Sequence, residues 1–417
     1  MQEIQRHFYK AILTAFFGVS LGFALKLYLA HLIDKTSLAL YYTAIDIFSF
    51  SLLILIGFRS SMVVAYAKTQ DDEKILNIFR RFLILLVLIA WAFVIPYLKH
   101  RVGLHIHYWY LVATILAMGL YAYLTNQLAM YRLYALINRS SFLEPIFSIL
   151  WFLIAYYIAH TKGLHALFIM TVMSSLSLSA YIWIAKRKIR KEPRFTRADL
   201  TDPQMRAFLK NALISTVEFG SGIVMIYLAV FFMMHYYSVG ELGDFQVVTK
   251  PVLMYMITLF VFPVFRFLLP ALSKLIHESA FEEIRALKKW FYRFALTVSL
   301  LFALIMLLWG EDLIAALFPP QYRGGYLYLT HLSLFFIFIM YNAYQIAFIK
   351  ASGAFTAALL IRLSGIVFFA AAFYLTRLFS QSSVSVIFGL AMAYTGMFVL
   401  SRVWDRRIYR QLLHETE

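Results

Sequence analysis

The chain has 417 residues, of which 62% are hydrophobic and only 14% charged, whereas an ordinary soluble domain carries about 25% charged residues. With a mean hydropathy of +0.76 and apolar stretches of about 17–25 residues along its whole length, each able to cross a hydrocarbon core of about 30 Å, it reads as an all-α polytopic membrane protein and not as a soluble globular one. The formal charge is +17 and there is no cysteine, so disulfides contribute nothing and thiols give no clue to compartment.

The first apolar stretch, 11–33, is longer than a signal-peptide core, contains Lys26 and is followed by no small-residue cleavage pattern, so it is expected to be retained. Further spans are expected at 38–66, 82–98, 108–130, 142–159 and 164–185, and then at 209–235, 245–270, 291–309, 326–349, 355–376 and 384–401, about twelve transmembrane helices in all. Between the third and fourth, "KHRVGLHIHYWY" (99–110) offers three histidines without a nearby carboxylate. Tyr108, Trp109 and Tyr110 make it an interfacial aromatic belt in preference to a metal site. The stretch "AKRKIRKEPRFTR" (185–197) resembles a nucleic-acid patch in isolation. Between two spans it reads as a topology signal in contact with anionic lipid headgroups, leading through Thr201-Asp202-Pro203 into the seventh helix. "FPPQYRGGYLY" (318–328) lacks phosphate-loop spacing and reads as an outer hairpin.

Counting Lys and Arg in the connections, with the N-terminus inside, gives 26 inside and 6 outside, which places both termini in the cytoplasm. The long basic segment divides the chain into an N-lobe (1–185), a cytoplasmic linker (186–208) and a C-lobe (209–417). Sliding the second half by 204 positions sets His31 on His235, Tyr41 on Phe245 and Phe58 on Phe262, and brings Arg59 to within one helical turn of Arg266. Two pseudo-repeated six-helix lobes follow from this. Both start inside and are parallel repeats about an axis along the membrane normal.

The segments "LALYYTAIDIFSFSLLILIGFRSSMVVAYA" (38–67) and "ELGDFQVVTKPVLMYMITLFVFPVFRFLLPALSK" (241–274), with the basic central loop, resemble the MOP flippase superfamily. More narrowly, the chain resembles the Wzx-type flippases of lipid-linked oligosaccharides. That resemblance implies two lobes facing a central cavity, through which an undecaprenyl-pyrophosphate-linked O-antigen or capsule repeat unit crosses the bacterial cytoplasmic membrane by alternating access. Related lipid II flippases carry cations on the first, second and eighth helices, where Lys26, Arg59 and Arg266 sit here. They usually add two helices that this chain lacks.

Two roles are open to Arg59 and Arg266. They can snorkel to headgroups, or they can line a wet cavity and hold a diphosphate through their bidentate forks. Lys26, Asp46 and Lys250 lie nearer the outer ends of their helices. Either they pair with one another, or the lysines form an outer site for phosphate with Asp46 as partner in the empty state. Glu218, about ten residues into the seventh helix and followed by Gly220 and Gly222, is the candidate acid for proton or Na+ coupling. Arg362 lines a groove in the second lobe or snorkels. No cofactor is implied, and a monomer is expected.

An enzyme such as a polymerase or ligase would need a sizeable outer loop with acid–base residues, and the outer connections are short. A multidrug exporter of the same superfamily would favour acids in its cavity, whereas the predicted one is cationic.

Overall fold

The computed structural model describes residues 2–161, 163–189 and 202–414, apart from the side chains at some helical positions, Glu218 and Arg266 among them. In chain order the helices are α1 (Gln2–Leu32), α2 (Lys35–Ser51), α3 (Ile54–Thr69), α4 (Asp72–Ile89), α5 (Ile95–His100), α6 (Tyr108–Met130), α7 (Tyr134–Leu153), α8 (Leu164–Arg187) and α9 (Pro203–Tyr236). They continue with α10 (Val239–Gly243), α11 (Lys250–Met256), α12 (Leu269–His277), α13 (Phe281–Leu317), α14 (Gly325–Ala351), α15 (Phe355–Phe379) and α16 (Val384–His414). Among the described residues there is no strand, and nine helical segments are long and apolar enough to cross a membrane. α1 and α9 contribute shorter apolar stretches, Gly18–Leu32 and Val224–Tyr236. Large apolar side chains stand exposed along these helices, as on α13 (Leu300, Leu304, Leu308) and α15 (Val367, Leu375, Leu378). Such continuous apolar surface is what lipid covers.

Two compact units account for the chain, one of residues 1–35 with 224–417, the other of 36–223. The first helix thus groups with the second half, and the first part of α9 with the first half. Side-chain contacts give the reason. The Phe8 ring meets Trp290 and Phe294 of α13 edge-on, each at 5.6 Å between centroids. On the other side, Gly57 of α3 lies so near α9 that a Cβ there would stand 2.5 Å from the Ala212 carbonyl oxygen.

In the unit of 36–223, the expected span 38–66 is broken at Leu52–Leu53 into α2 and α3. Within hydrocarbon an opened backbone must find partners inside the protein. At the break the Leu53 and Leu55 N–H groups bond the Phe50 and Leu52 carbonyls. The Leu55 carbonyl accepts from Asn126 Nδ2 at 2.9 Å, and Thr216 Oγ1, which donates to the Ala212 carbonyl at 2.8 Å, lies 3.2 Å from the Ile54 carbonyl. Lys186, counted above among the basic loop, is instead buried and donates to Gln127 Oε1. Residues 190–201 of that loop lie outside the described residues.

In the other unit the helical backbone runs without a break from 239 to 277, through three wide π-turns at Asp244–Thr249, Ile257–Val261 and Val264–Leu268. Pro251, Pro263 and Pro270 each lack an N–H and crowd the carbonyl four residues back, at Val247, Leu259 and Arg266. Each of those carbonyls lies within one π-turn, so the widening absorbs the conflict. α14 is the most enclosed helix of this unit. Its amides bind neighbouring helices, with Asn342 Nδ2 donating to the Tyr394 carbonyl at 2.7 Å and Gln345 Nε2 to Tyr292 Oη at 2.9 Å. Hydrogen bonds of this kind join membrane helices that the hydrophobic effect does not.

Candidate functional site: a polar cavity among α2, α3, α6, α7 and α8

The unit of 36–223 encloses a cavity of about 610 Å³, roughly the size that takes a small ligand. Five helices supply its lining at helical spacing. From α2 come Tyr41, Ile45 and Ser49. α3 gives Leu55 and Arg59, α6 gives Met118, Tyr121, Thr125 and Asn126, α7 gives Glu144 and Ser148, and α8 gives Thr171, Ser174, Ser175 and Leu178. The break after α2 matters here, because it ends one helix and restarts the next with Arg59 about one and a half turns beyond, aimed at the same space as Glu144.

Tyr121 Oη donates to Glu144 Oε2 at 3.3 Å, and Arg59 is close enough for its charge to act on the same phenol. Around them the hydroxyls pair off, Tyr41 with Thr171 at 2.5 Å and Ser148 with Ser174 at 3.1 Å. Asn126 is committed to the Leu55 carbonyl and so fixes the wall. The result is a hydroxyl-rich chamber with one guanidinium and one carboxylate among its described residues. Such a chamber can bind an anion, a cation or a proton, and it can offer hydrogen bonds to a polyhydroxylated solute.

Glu144 was not among the residues that the sequence singled out. Its signal was present in "SSFLEPIFSILWF" (140–152), an acid followed by proline inside an apolar helix. Placing the span at 142–159 left Glu144 at the helix end. In the structure α7 begins at Tyr134, so Glu144 lies ten residues, or about 15 Å, into the helix.

Of the predicted residues whose side chains are described, Arg59 alone lines this cavity. Lys26, on α1 of the other unit, sits with its ammonium 5.5 Å from the Tyr255 ring centre. Lys250 donates to Gln246 Oε1 at 3.2 Å, and Asp46 lies half-buried on α2. Arg362 stands 5.8 Å from the Phe265 ring, which Lys350 approaches at 6.0 Å. Arg266 falls in the last π-turn and Glu218 in α9, but both side chains lie outside the described residues. At the "KHRVGLHIHYWY" connection, His107 caps α6, its Nδ1 accepting from the Trp109 N–H at 3.5 Å. An ion pair that the sequence did not suggest joins Lys35 to Asp244 at 2.7 Å, with Lys35 also donating to the Gln321 carbonyl at 2.6 Å.

No protein-family model matches the chain, and no curated protein matches it by sequence. Solved structures do match it. It is similar to a point mutant of the Vibrio cholerae MATE transporter VcmN, with a TM-score of 0.69 and 14% identity over 99% of this chain and 98% of that one. It is similar to an inward-facing multidrug resistance MATE family transporter of the MOP superfamily, with a TM-score of 0.74 and 11% identity over 96% of each chain. The MATE transporter ClbM in complex with Rb+ matches with a TM-score of 0.62 and 17% identity, over 97% of this chain and 94% of that one. The fold of this protein is therefore that of the MATE transporters, over essentially its full length.

Proposed function

We propose that this protein is an alternating-access transporter of the bacterial cytoplasmic membrane, with both termini in the cytoplasm, that moves a polyprenyl-pyrophosphate-linked oligosaccharide outward. The observation that carries the transport reading is the likeness to MATE transporters along nearly the whole chain, to structures described as inward-facing and as outward-facing. What supports an anionic, glycan-bearing substrate is Arg59 opening onto a chamber rich in hydroxyls. A guanidinium replaces part of the hydration that a diphosphate loses on entering a low-dielectric passage. Arg266, at the matching place on the helix 239–277, is assigned the same role, and Lys26, Lys250 and Arg362 are assigned to the cationic path. Lipid II remains the variant of this reading.

Coupling to H+ or Na+ falls first to Glu144, the acid that shares the cavity with Arg59, and then to Glu218, with Asp46 as a partner acid. That ClbM was solved with Rb+ concerns ClbM, and is in keeping with cation coupling on this fold.

The second reading, export of cationic drugs, is favoured by the same Glu144. One carboxylate balances one guanidinium among the described lining residues, so the chamber is not simply cationic. The experiment that separates the two is transport by purified protein in vesicles, normalised to inserted protein, with a lipid-linked sugar and a cationic dye as alternative substrates. Arg59→Ala is expected to weaken sugar-lipid flipping by roughly 10- to 150-fold, the value of one or two charge-assisted hydrogen bonds. Arg59→Lys is expected to recover only part, and Glu144→Gln to remove the response to an imposed pH gradient. Dye efflux that depends on Glu144, with no flipping of the sugar-lipid, would establish the drug reading instead.

A further inference from the structure

The unit of 1–35 and 224–417 has a second cavity that the transport reading leaves unused. It has a volume of about 310 Å³ and lies where the start of α13, the end of α14 and the end of α16 meet. Its floor is apolar and aromatic, with Ile284, Tyr344 and Phe348 all buried. Its rim is cationic, formed by Arg285, Lys288, Arg406 and Arg410. Asp405, buried beneath the rim, is bound to Lys288, and Arg285 has Glu282 at 3.0 Å.

The surface leading to this cavity tells what belongs in it. Along α16, Phe388, Met392, Val399 and Val403 are exposed apolar residues, 40% to 61% accessible. Advancing 100° per residue, they share one face, within about 60°, with Arg406 and Arg410. An apolar strip for hydrocarbon thus runs straight into two guanidiniums at the end of the helix. Trp404 and Tyr409 bracket the same level, Trp404 with the Arg407 guanidinium 5.5 Å from its ring. Aromatic rings collect at the depth of lipid headgroups, and basic pockets between helix ends take lipid phosphates. A free anion would have no use for the strip, and a neutral lipid would leave the rim charges unmatched.

We propose that this cavity is a binding site for an anionic glycerophospholipid, with Arg406, Arg410 and Arg285 holding its phosphodiester and an acyl chain lying along Val403, Val399 and Met392. The site is separate from the cavity around Glu144, and it stands whether the cargo is a glycan or a drug.

The test uses the full-length protein in vesicles of phosphatidylcholine with increasing phosphatidylglycerol, followed by release into detergent and native mass spectrometry of the retained lipid. The wild type is expected to retain phosphatidylglycerol selectively, and Arg406→Gln combined with Arg410→Gln to reduce that retention about tenfold or more. Arg406→Lys with Arg410→Lys should keep most of it. Arg407→Gln, which removes a charge on Trp404 outside the cavity, should leave retention unchanged. Thermal unfolding in pure phosphatidylcholine checks that the variants remain folded, and retention is compared only among variants that match the wild type there. Equal losses for Arg407→Gln and for the double variant would mean diffuse surface charge and overturn the site. Displacement of the lipid by millimolar inorganic phosphate would also overturn it, since the occupant would then be a free anion.

Discussion

Two irregular helices, one in each unit, deform for opposite reasons. The stretch 239–277 carries Pro251, Pro263 and Pro270, and its three π-turns sit where those prolines have crowded a carbonyl. Its deformation is written locally, and it stays continuous because a π-turn keeps most backbone bonds. The stretch 35–69 contains neither proline nor any glycine at the break, yet its helix is interrupted at Leu52–Leu53, where the Leu53 and Leu55 N–H groups bond only three residues back, to the Phe50 and Leu52 carbonyls. Beyond these local bonds it gains contacts from elsewhere in the chain, Asn126 Nδ2 on the Leu55 carbonyl and Thr216 Oγ1 near that of Ile54. One helix is widened where its own prolines recur, and the other is interrupted without a local breaker, where α6 and α9 pack against it. Among the described side chains, only the second places an arginine in a cavity with an acid.

The largest effect is expected at Gly57. A Cβ there would stand 2.1 Å from Thr216 Oγ1 and 2.5 Å from the Ala212 carbonyl oxygen, so α3 and α9 must move apart. Gly57→Ala is expected to destabilise the protein by about 3 kcal/mol, read as a fall in thermal unfolding temperature in detergent. Gly220→Ala meets only the flexible Leu53 side chain, at 3.1 Å, and should cost far less. Similar losses at the two glycines would mean that close approach of α3 to α9 does not set the break.

Next in size is Asn126. Asn126→Leu removes the side-chain hydrogen bond that ties α6 to the Leu55 carbonyl in a buried place, for an expected loss of about 1–2 kcal/mol. The same substitution should lower transport, since the wall next to Arg59 loses its anchor. Stability unchanged to within a few tenths of a kcal/mol would show that the break holds without it.

In the proline-bearing helix 239–277 the effect should be smaller and of the other sign. Pro263→Ala restores an N–H that can reach the Leu259 carbonyl, so the π-turn is expected to relax, with stability altered by less than about 1 kcal/mol and amide exchange slowed around 263. Faster exchange there would mean that the turn is imposed from outside, as in α2–α3.

The smallest effect concerns the start of α9, the helix that supplies Thr216. Asp202 accepts from the Gln204 N–H at 2.9 Å and from Lys74 Nζ at 3.2 Å, and these bonds, the backbone one foremost, hold its carboxyl below the ordinary carboxylate value. A lowered folded pKa means that its contribution is present above the unfolded value of about 4 and fades as pH falls through the folded one. Exchange at residues 204–206 should therefore quicken between pH 5 and pH 3 in the wild type, and not in Asp202→Asn. A pH-independent wild type would remove the cap.

The contrast between the two helices also marks where sequence reading stops. Apolar stretches of spanning length fix the class of fold, because within lipid the backbone can satisfy itself only as helix or closed barrel, and the pattern here has no alternation of strands. The repeat shift that brought Arg59 to within one helical turn of Arg266 also sets Leu53, at the break, on Ile257, the first residue of a π-turn, but nothing in the pattern of apolar residues marked either position as irregular. Lys186 looked like one more cation in a basic loop, and only tertiary structure buries it against Gln127. Glu144 looked like the edge of a span until α7 proved to begin ten residues earlier.

The order of residues along the chain is enough to make it a bundle of membrane helices, basic at its connections. Those properties depend on local composition and on the cost of placing backbone and charge in hydrocarbon. The tertiary structure decided which helix opens, which helix groups with which unit, and which acid shares a chamber with Arg59. Those depend on contacts between residues far apart along the chain, such as Phe8 with Trp290 and Leu55 with Asn126. No local pattern specifies such pairs, because each partner's own segment is an equally good helix without the other.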